Sequence, residues 1–547
     1  MSNNRSISLL VFGMGLVPIL LYFYLLDSLA INIPKWDDHG LRAFIMRFQE
    51  AQSLPQYIDA FWRQHNEHRI VYDRIVSLLD YVLTGHLNFV HLMWVGNLSL
   101  LLIVLVWYKV LKQSVGLLYV LPIPFLIFNL SQWENMYWGM AALQNFGVIA
   151  WVICCLYALA YQLPLGICIS LAILTSITST NGLLIWPLGV IVLWLQSPKK
   201  KVFIWLGVGV LVWVLYFLHY EKTEQPTHPV PNKIVAYVRA VLLILGSIAE
   251  PLYPRKSTLL VLGTGLILFV LSGGILLRLA LKVFQKQSLT KVEYFLGSAL
   301  AFVLGTTAIV AFGRLGFDEN TFTTSRYKVY TIVISLLVYT WLILQTNGFV
   351  RKTIGLVTLL FSLLIAWTSY SYFYDDSLRL RNQLMSDQFN YSYPAEPVKS
   401  KPINEAAAAW YNASLNTLLQ PDTNQLTAYP GLKITQTKQV SVLEMEKAGE
   451  AAKDFTRSYY LLHKPGKSYL VPFMFTAIDR PGVAPASRNY IHPYSSTTID
   501  HNPNQYLPGD YSLLVVTHDH GKSTLYKTGQ TIHIPDQDQT PALKQNW

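Results

Sequence analysis

The chain has 547 residues, of which 52% are hydrophobic and only 13% charged, with a mean hydropathy of +0.33. Soluble domains carry roughly 25% charge, so this composition excludes a soluble globular protein and defines a polytopic α-helical membrane protein. The net charge of +11 does not indicate nucleic acid, because its lysines sit on short loops between apolar runs, where they face anionic headgroups and fix topology.

Apolar runs near the ~20 residues a bilayer requires predict about eleven transmembrane helices, at 8–30, 89–110, 114–130, 140–161, 163–180, 182–196, 202–219, 257–279, 292–312, 329–346 and 353–373. The first is expected to be a retained anchor, since it is longer than a signal-peptide core and lacks a clear cleavage site. Lys and Arg mark cytoplasmic loops. With the N-terminus inside, Arg5, Lys109, Lys112, Lys199, Lys200, Lys201, Arg278, Lys282, Lys286, Lys291, Arg351 and Lys352 all fall on that side. The odd count then puts the segment after residue 373 outside. Cys154, Cys155 and Cys168 lie in predicted spans, which predicts neither disulfides nor a thiolate metal site.

The first outward segment, 31–88, mixes both charge signs and reads as short amphipathic helices on the membrane surface, with Leu41, Phe44, Ile45 and Phe48 on one face. Asp37 and Asp38 open it. Carboxylates at a partly dehydrated interface can supply a general base and a ligand-orienting or metal-binding group. The plainer reading has Asp38 capping the helix near Leu41 and Trp36 anchoring the bilayer edge. In Gln64-His65-Asn66-Glu67-His68-Arg69, a helix puts His65, His68 and Arg69 on one face. That face serves to bind phosphate or orient an acceptor, to hold a metal, or only to meet solvent.

Ser131 to Gly139 links two spans on the outer side. Trp133, Tyr137 and Trp138 form an aromatic belt, while Glu134 and Asn135 either belong to the connector or line a sugar pocket. Thr178 to Gly182 reads as a turn between short spans. Residues 234–250 carry Arg239 and end at Glu250-Pro251, which reads as an interfacial or re-entrant helix. A twelfth span is the competing reading and would invert every later loop. Between two late spans, Arg314, Arg326 and Lys328 can neutralise a phosphate, with Arg offering a bidentate fork and Gly313 and Gly316 allowing close backbone approach. The alternative is anchoring of the span end by Arg326, Tyr327 and Lys328. Charged residues are nearly absent mid-span, which weighs against ion-coupled transport.

Three regions follow: a transmembrane domain over 1–373, a helical linker region over 374–429 that includes 404–410, and an extracytoplasmic β-rich, sandwich-like domain over 430–547. Strands are predicted at 469–475, 511–516 and 531–534. Thr517-His518-Asp519-His520-Gly521 reads as a hairpin tip.

The acidic pair after the first span, the long amphipathic first outer loop, the basic Arg/Tyr loop and the outward C-terminal domain together resemble the GT-C superfamily of membrane glycosyltransferases. Gln132 to Asn135 and Ser325 to Tyr327 look like segments of bacterial GT-C-like proteins of unassigned substrate. The likeness covers roughly 8–373 and leaves the tail unexplained.

The resemblance implies a polyprenyl-phosphate-linked sugar donor, an envelope glycan, lipid or protein as acceptor, and a bacterial inner membrane location. It also implies an inverting displacement in which Asp37 or Asp38 acts as base or binds the acceptor or a metal. Protein mannosyltransferases usually carry an Asp-Glu pair, so Asp-Asp-His-Gly leaves open which carboxylate acts. No metal site is assigned, and a divalent ion stays open as a cofactor. Candidates for the departing phosphate are Arg314, Arg326 and Lys328, or His65, His68 and Arg69, with Glu67, Glu134, Asn135 and Tyr327 around the substrate. The rival reading is a GT-C-like scaffold without transfer activity that assembles an envelope complex through its tail. A lipid-linked saccharide transporter ranks behind it, because no polar path through the spans is evident.

Overall fold

A computed structural model describes residues 2–222, 228–252, 258–392, 418, 421–422, 426–429, 432–437, 440–446, 458–472, 494–500, 506–519 and 522–535. Residues 404–410 and the tip residues His520 and Gly521 lie outside them. The chain divides into two compact units. One comprises Met1–Ser28, Gly40–Leu83 and Val90–Phe373, the other Leu29–His39, Thr84–Phe89 and Tyr374–Trp547.

The helices run in chain order: α1 (Ser2–Leu29), α2 (Asp38–Glu50), α3 (Leu54–Trp62), α4 (Val71–Thr84), α5 (Phe89–Ser114), α6 (Pro122–Ile127), α7 (Trp133–Met136), α8 (Gly139–Ala141) and α9 (Gly147–Ala160). They continue with α10 (Leu165–Thr178), α11 (Ile185–Gln196), α12 (Lys199–Phe217), α13 (Lys233–Gly246), α14 (Thr258–Phe284), α15 (Lys291–Gly313), α16 (Lys328–Gln345) and α17 (Gly348–Ser392). Among the described residues nine helices are long and apolar enough to cross a membrane, and Leu165–Thr178 and Thr180–Gln196 are shorter apolar helices. This is the make-up of a polytopic helical membrane protein.

The structure departs from the predicted spans in two places. Residues 114–130 do not form one helix: the chain breaks at Gly116 (φ +99°), makes a 3-10 turn over Leu117–Val120 and then the short α6. Pro122 and Pro124 each remove a backbone donor that a continuous helix needs. Conversely, 233–252 forms an apolar helix of span length by composition. There α13 crosses α14 with no room to spare: a Cβ on Gly246 would meet Val261 O at 1.8 Å, and one on Gly265 would meet Leu242 O at 1.9 Å. Small residues let backbones approach this closely in lipid, where packing rather than water drives association.

Between α8 and α9 the chain makes a π-turn over Ala142–Phe146. Gly96 of α5 faces it so closely that a Cβ would sit 2.4 Å from the Ala142 carbonyl carbon. Local sequence sets other helix starts. Gln56 accepts from the Ser53 N–H at 3.1 Å at the head of α3, and Glu293 accepts from the Thr290 N–H at 2.8 Å at the head of α15.

In the second unit, β1 (Thr427–Ala428), β2 (Leu432–Gln436), β3 (Val440–Glu446), β4 (Ser458–Lys464), β5 (Lys467–Pro472), β6 (Tyr494–Asp500), β7 (Gly509–Asp519) and β8 (Lys522–Ile534) form two sheets. Their orders are β1-β8-β7-β4-β5 and β2-β3-β6. Alternation along the strands gives the larger sheet two apolar faces. Tyr460, Leu462, Tyr511 and Val515 share a core with Leu443 and Ile499 of the smaller sheet. Tyr459, Leu461, Leu514 and Val516 pack with Leu384, Met385 and Phe389 of α17 and with Ile33. The linker expected after residue 373 is therefore, as far as Ser392, a direct continuation of the 45-residue α17.

Candidate functional site

The predicted polar residues are divided between the two units. Asp37 and Asp38 belong to the second, in a turn where the Asp38 N–H donates to Lys35 O at 2.9 Å and the Lys35 N–H donates to Asp38 Oδ2 at 3.0 Å. Asp38 is fully buried at the head of α2, where a carboxylate favours the helix dipole. Asp37 is half-buried. Trp36 is exposed with φ +44°, and Lys35 Nζ lies 4.5 Å from its ring centroid.

All the other candidates lie in the first unit. Residues 65–68 form a tight turn rather than the helix expected: His65 and His68 exchange backbone hydrogen bonds at 2.8 and 2.9 Å around Asn66, whose φ is +48°. Asn tolerates the left-handed conformation that a helix interior cannot contain, so a shared helical face of His65, His68 and Arg69 does not exist. The His65 ring instead packs beside Gly40, where a Cβ would lie 2.8 Å from Cε1.

Thr180 is the hub of this turn. Its hydroxyl donates to Glu67 O at 2.5 Å and lies 2.7 Å from Tyr216 Oη and 2.8 Å from His68 Nδ1. One hydroxyl has one proton, so Tyr216 donates to Thr180, and the Thr180 N–H donates to His68 Nδ1 at 3.4 Å. Arg69 closes the network from below: Nε donates to Tyr216 O at 2.7 Å, Nη2 to Leu218 O at 2.5 Å and Nη1 to Trp62 O. Its guanidinium thus satisfies carbonyls at the ends of α3 and α12, and burial lowers its pKa. Arg74 does the same for Phe61 O at 2.7 Å and Arg63 O at 2.5 Å, with burial pushing its pKa down to about 10.

The side chain of Glu67 points to Arg314, with Oε1 3.0 Å from Nη2, both groups partly exposed. Arg314 also stands over Phe317, 5.3 Å from the ring centroid. Tyr220 donates to Glu67 O at 3.3 Å, and burial followed by the Glu67 charge raises its pKa.

A second cluster joins the connector 131–138 to the loop before α16. Ser325 Oγ accepts from the Glu134 N–H at 3.0 Å, and Asn135 donates to Arg326 O at 3.1 Å. Asn145 of the π-turn donates to Asn135 Oδ1 at 2.8 Å. Arg326 lies over Trp138, 5.7 Å from the ring centroid, and its Nε is 3.8 Å from Glu134 Oε2, too long for a hydrogen bond. Tyr327 packs beside Ala240, Leu243 and Phe322. Lys328 is buried, paired with Glu250 and 4.4 Å from the Phe373 ring centroid, which removes it from the set available to a ligand.

The two glutamates, Glu67 and Glu134, were among the candidates read from the sequence, whereas Thr180, Tyr216 and Asn145 carried no signal beyond a turn and two helix interiors. Among the described residues no group of three or more His, Cys, Asp or Glu side chains gathers as a metal site. Compared with known proteins, the chain matches no family model, no curated protein and no solved structure.

Proposed function

We propose that this protein is a GT-C-like membrane glycosyltransferase that takes its sugar from a polyprenyl-phosphate-linked donor. The observation that carries this reading is the convergence, in the first unit, of segments 64–69, 131–138, 178–182 and 313–328 around two Arg–Glu pairs, Arg314–Glu67 and Arg326–Glu134. Arginines in partly exposed, partly desolvated positions favour a phosphate oxygen over a more weakly charged carboxylate, and their planar fork suits it. In the reaction, an acceptor hydroxyl oxygen bonds to C1 of the sugar as the C1–O bond to phosphate breaks. The polyprenyl phosphate leaves with the electron pair, and the hydroxyl proton passes to a carboxylate. Arg314 and Arg326 stabilise the charge on the leaving group. The resemblance assigns the base to the Asp37-Asp38 pair.

The same reading puts the N-terminus in the cytoplasm and the converging loops outside, in a bacterial inner membrane. It is supported by bonds from both parts of the 233–252 helix to one loop: Arg239 Nε to Glu319 at 2.8 Å, and Glu250 to Lys328. With Arg239 and Glu250 both bonded to 313–328, this reading has 233–252 enter and leave on one side. The broken segment 114–130 then makes the crossing that returns the chain to 131–138. The envelope acceptor meets the β-rich domain in this scheme. The scaffold reading draws on a specific observation too, since Lys328 is already paired with Glu250 and the Arg69 guanidinium is taken up by backbone carbonyls.

Mass spectrometry of envelope glycans from a deletion strain tests both, with complementation by wild type, Arg314→Ala, Asp37→Asn or Asp38→Asn at equal membrane levels. Loss of a sugar-sized mass, restored by wild type but not by Arg314→Ala or by one of the two Asp variants, supports transfer. Full restoration by every variant rejects it in favour of the scaffold.

A further inference from the structure

A groove of about 440 Å³ runs between α1, α5 and the broken segment that ends in α6, lined among others by Phe12, Gly15 and Leu16, by Leu101 and Tyr108, and by Leu121. Its walls come from two of the apolar helices long enough to cross a membrane, and its size is that of clefts that bury ligands. Helix packing does not fill it, because Gly15 has no side chain and the chain opposite is a 3-10 turn rather than a helix. A Cβ at Gly15 would meet only Pro124 and Leu121, at 3.8 and 3.9 Å.

One end of the groove is charged. Lys112 folds back so that Nζ donates to Tyr108 Oη at 2.5 Å and lies 4.9 Å from that ring's centroid. Lys109, also exposed, shares its helix face three residues away. Among the described residues no carboxylate pairs with either lysine. A second apolar groove, of about 210 Å³ between α11, α14 and α15, ends differently: there Lys282 meets Glu293 at 2.5 Å. Lys112 is fifteen residues, or roughly 22 Å of helix, beyond Asn97, whose side chain donates to Met136 O at 3.0 Å beside the polar loops. The charged groove therefore lies toward the other end of α5 and does not depend on the proposed transfer.

We propose that this groove holds one acyl chain of an anionic glycerophospholipid from the surrounding bilayer, with its phosphate on Lys112 and Lys109. Hydrocarbon fills the apolar walls, where empty space would forfeit contacts. The phosphate neutralises the two exposed lysines at the bilayer surface, with Tyr108 as a hydrogen-bond partner at the junction.

The test uses the full chain in detergent, titrated with mixed micelles containing phosphatidylglycerol or phosphatidylcholine and read by thermal unfolding and by native mass spectrometry. Phosphatidylglycerol is expected to bind and raise Tm more than phosphatidylcholine. Lys112→Gln should weaken it roughly fivefold, and Lys109→Gln combined with it roughly twenty-five-fold. Gly15→Phe, which fills the groove from the α1 wall, should abolish the saturable component, and Leu101→Trp does the same from α5 if the first variant misfolds. Equal stabilisation by the two lipids overturns the headgroup assignment. Selectivity that survives both groove-filling variants overturns the site, reducing it to surface attraction by lysines.

Discussion

Arg314 and Glu67 are 247 residues apart in the chain and 3.0 Å apart in the structure. Their pairing holds the turn after α3 against the loop after α15, and it keeps an arginine oriented at a partly exposed position before any ligand arrives. A phosphate that binds Arg314 competes with Glu67, so the two side chains report on each other.

Arg314→Ala is expected to lower transfer roughly tenfold to a hundredfold, the worth of a charge-assisted hydrogen bond to a phosphate. Glu67→Gln removes the competitor and should tighten donor binding, at a stability cost of only ~0.2–1 kcal/mol for so exposed a pair. Donor titrations on purified protein separate these effects; identical affinities for wild type and both variants would remove Arg314 from the donor site.

Arg69 acts on stability rather than on ligand. Arg69→Met leaves the carbonyls of Trp62, Tyr216 and Leu218 without their donor and should cost about 3–5 kcal/mol. Arg69→Lys should rescue little, because an ammonium cannot reach three carbonyls in a fork. Thermal unfolding in detergent measures both. A phosphate-binding role alone would instead leave Tm unchanged.

The α13–α14 crossing depends on Gly246 and Gly265. With backbone oxygen 1.8 Å from a Cβ at Gly246, Gly246→Ala must push the helices apart, and a loss of about 1–3 kcal/mol or more is expected. Gly263→Ala on the partner helix α14, with open space around its Cβ position, should be neutral and serves as the control in the same melting experiment.

The sheet domain carries its own pH dependence. Burial pulls the Lys467 pKa down from 10.5 to about 8. Lys464 stands across the β4–β5 hairpin and the Tyr469 ring centroid is 4.3 Å from Nζ. Below pH 8 the folded state bears the buried charge. Between pH 8 and 10.5 the unfolded chain binds more protons than the folded one, so stability rises with pH across that window. Lys467→Met should flatten the rise, as read by amide exchange in β4 and β5. A slope that persists in the variant would assign it to another group.

Topology is checked by single cysteines in a background where Cys154, Cys155 and Cys168 are replaced by Ala. Asn232→Cys and Thr258→Cys, at the two ends of 233–252, should react with an impermeant maleimide from the same face of intact cells, and Ser114→Cys only after permeabilisation. Reaction at only one of the first two would make 233–252 a crossing.

Hydropathy alone reveals the apolar helices, since a bilayer imposes both length and composition on a single continuous run. It does not decide whether a helix such as α13, of the same composition, makes a crossing. The break in 114–130 was written in Gly116, Pro122 and Pro124, yet its apolar residues outweighed them in a window average. The candidate residues themselves were visible as polar islands, but their partners were not. Glu134 meets Ser325 and Asn135 meets Arg326, each pair 191 residues apart, and no local pattern encodes such pairings. Composition likewise gave no sign that 29–39 and 84–89 belong with the C-terminal unit, because nearly all of both read as part of the first outward segment, 31–88.

The π-turn at Ala142–Phe146 sets how this stretch tolerates changes of length. An i→i+5 bond fits one more residue into a turn than an i→i+4 bond does, so the surplus is absorbed locally and α9 keeps its phase. Excising one residue there should leave Tyr72 against Trp151, 5.9 Å between centroids, while withdrawing Asn145 from Asn135. The helix and the polar contact can thus be lost or gained separately, and a single-codon deletion distinguishes what the turn does for packing from what it does for the loops.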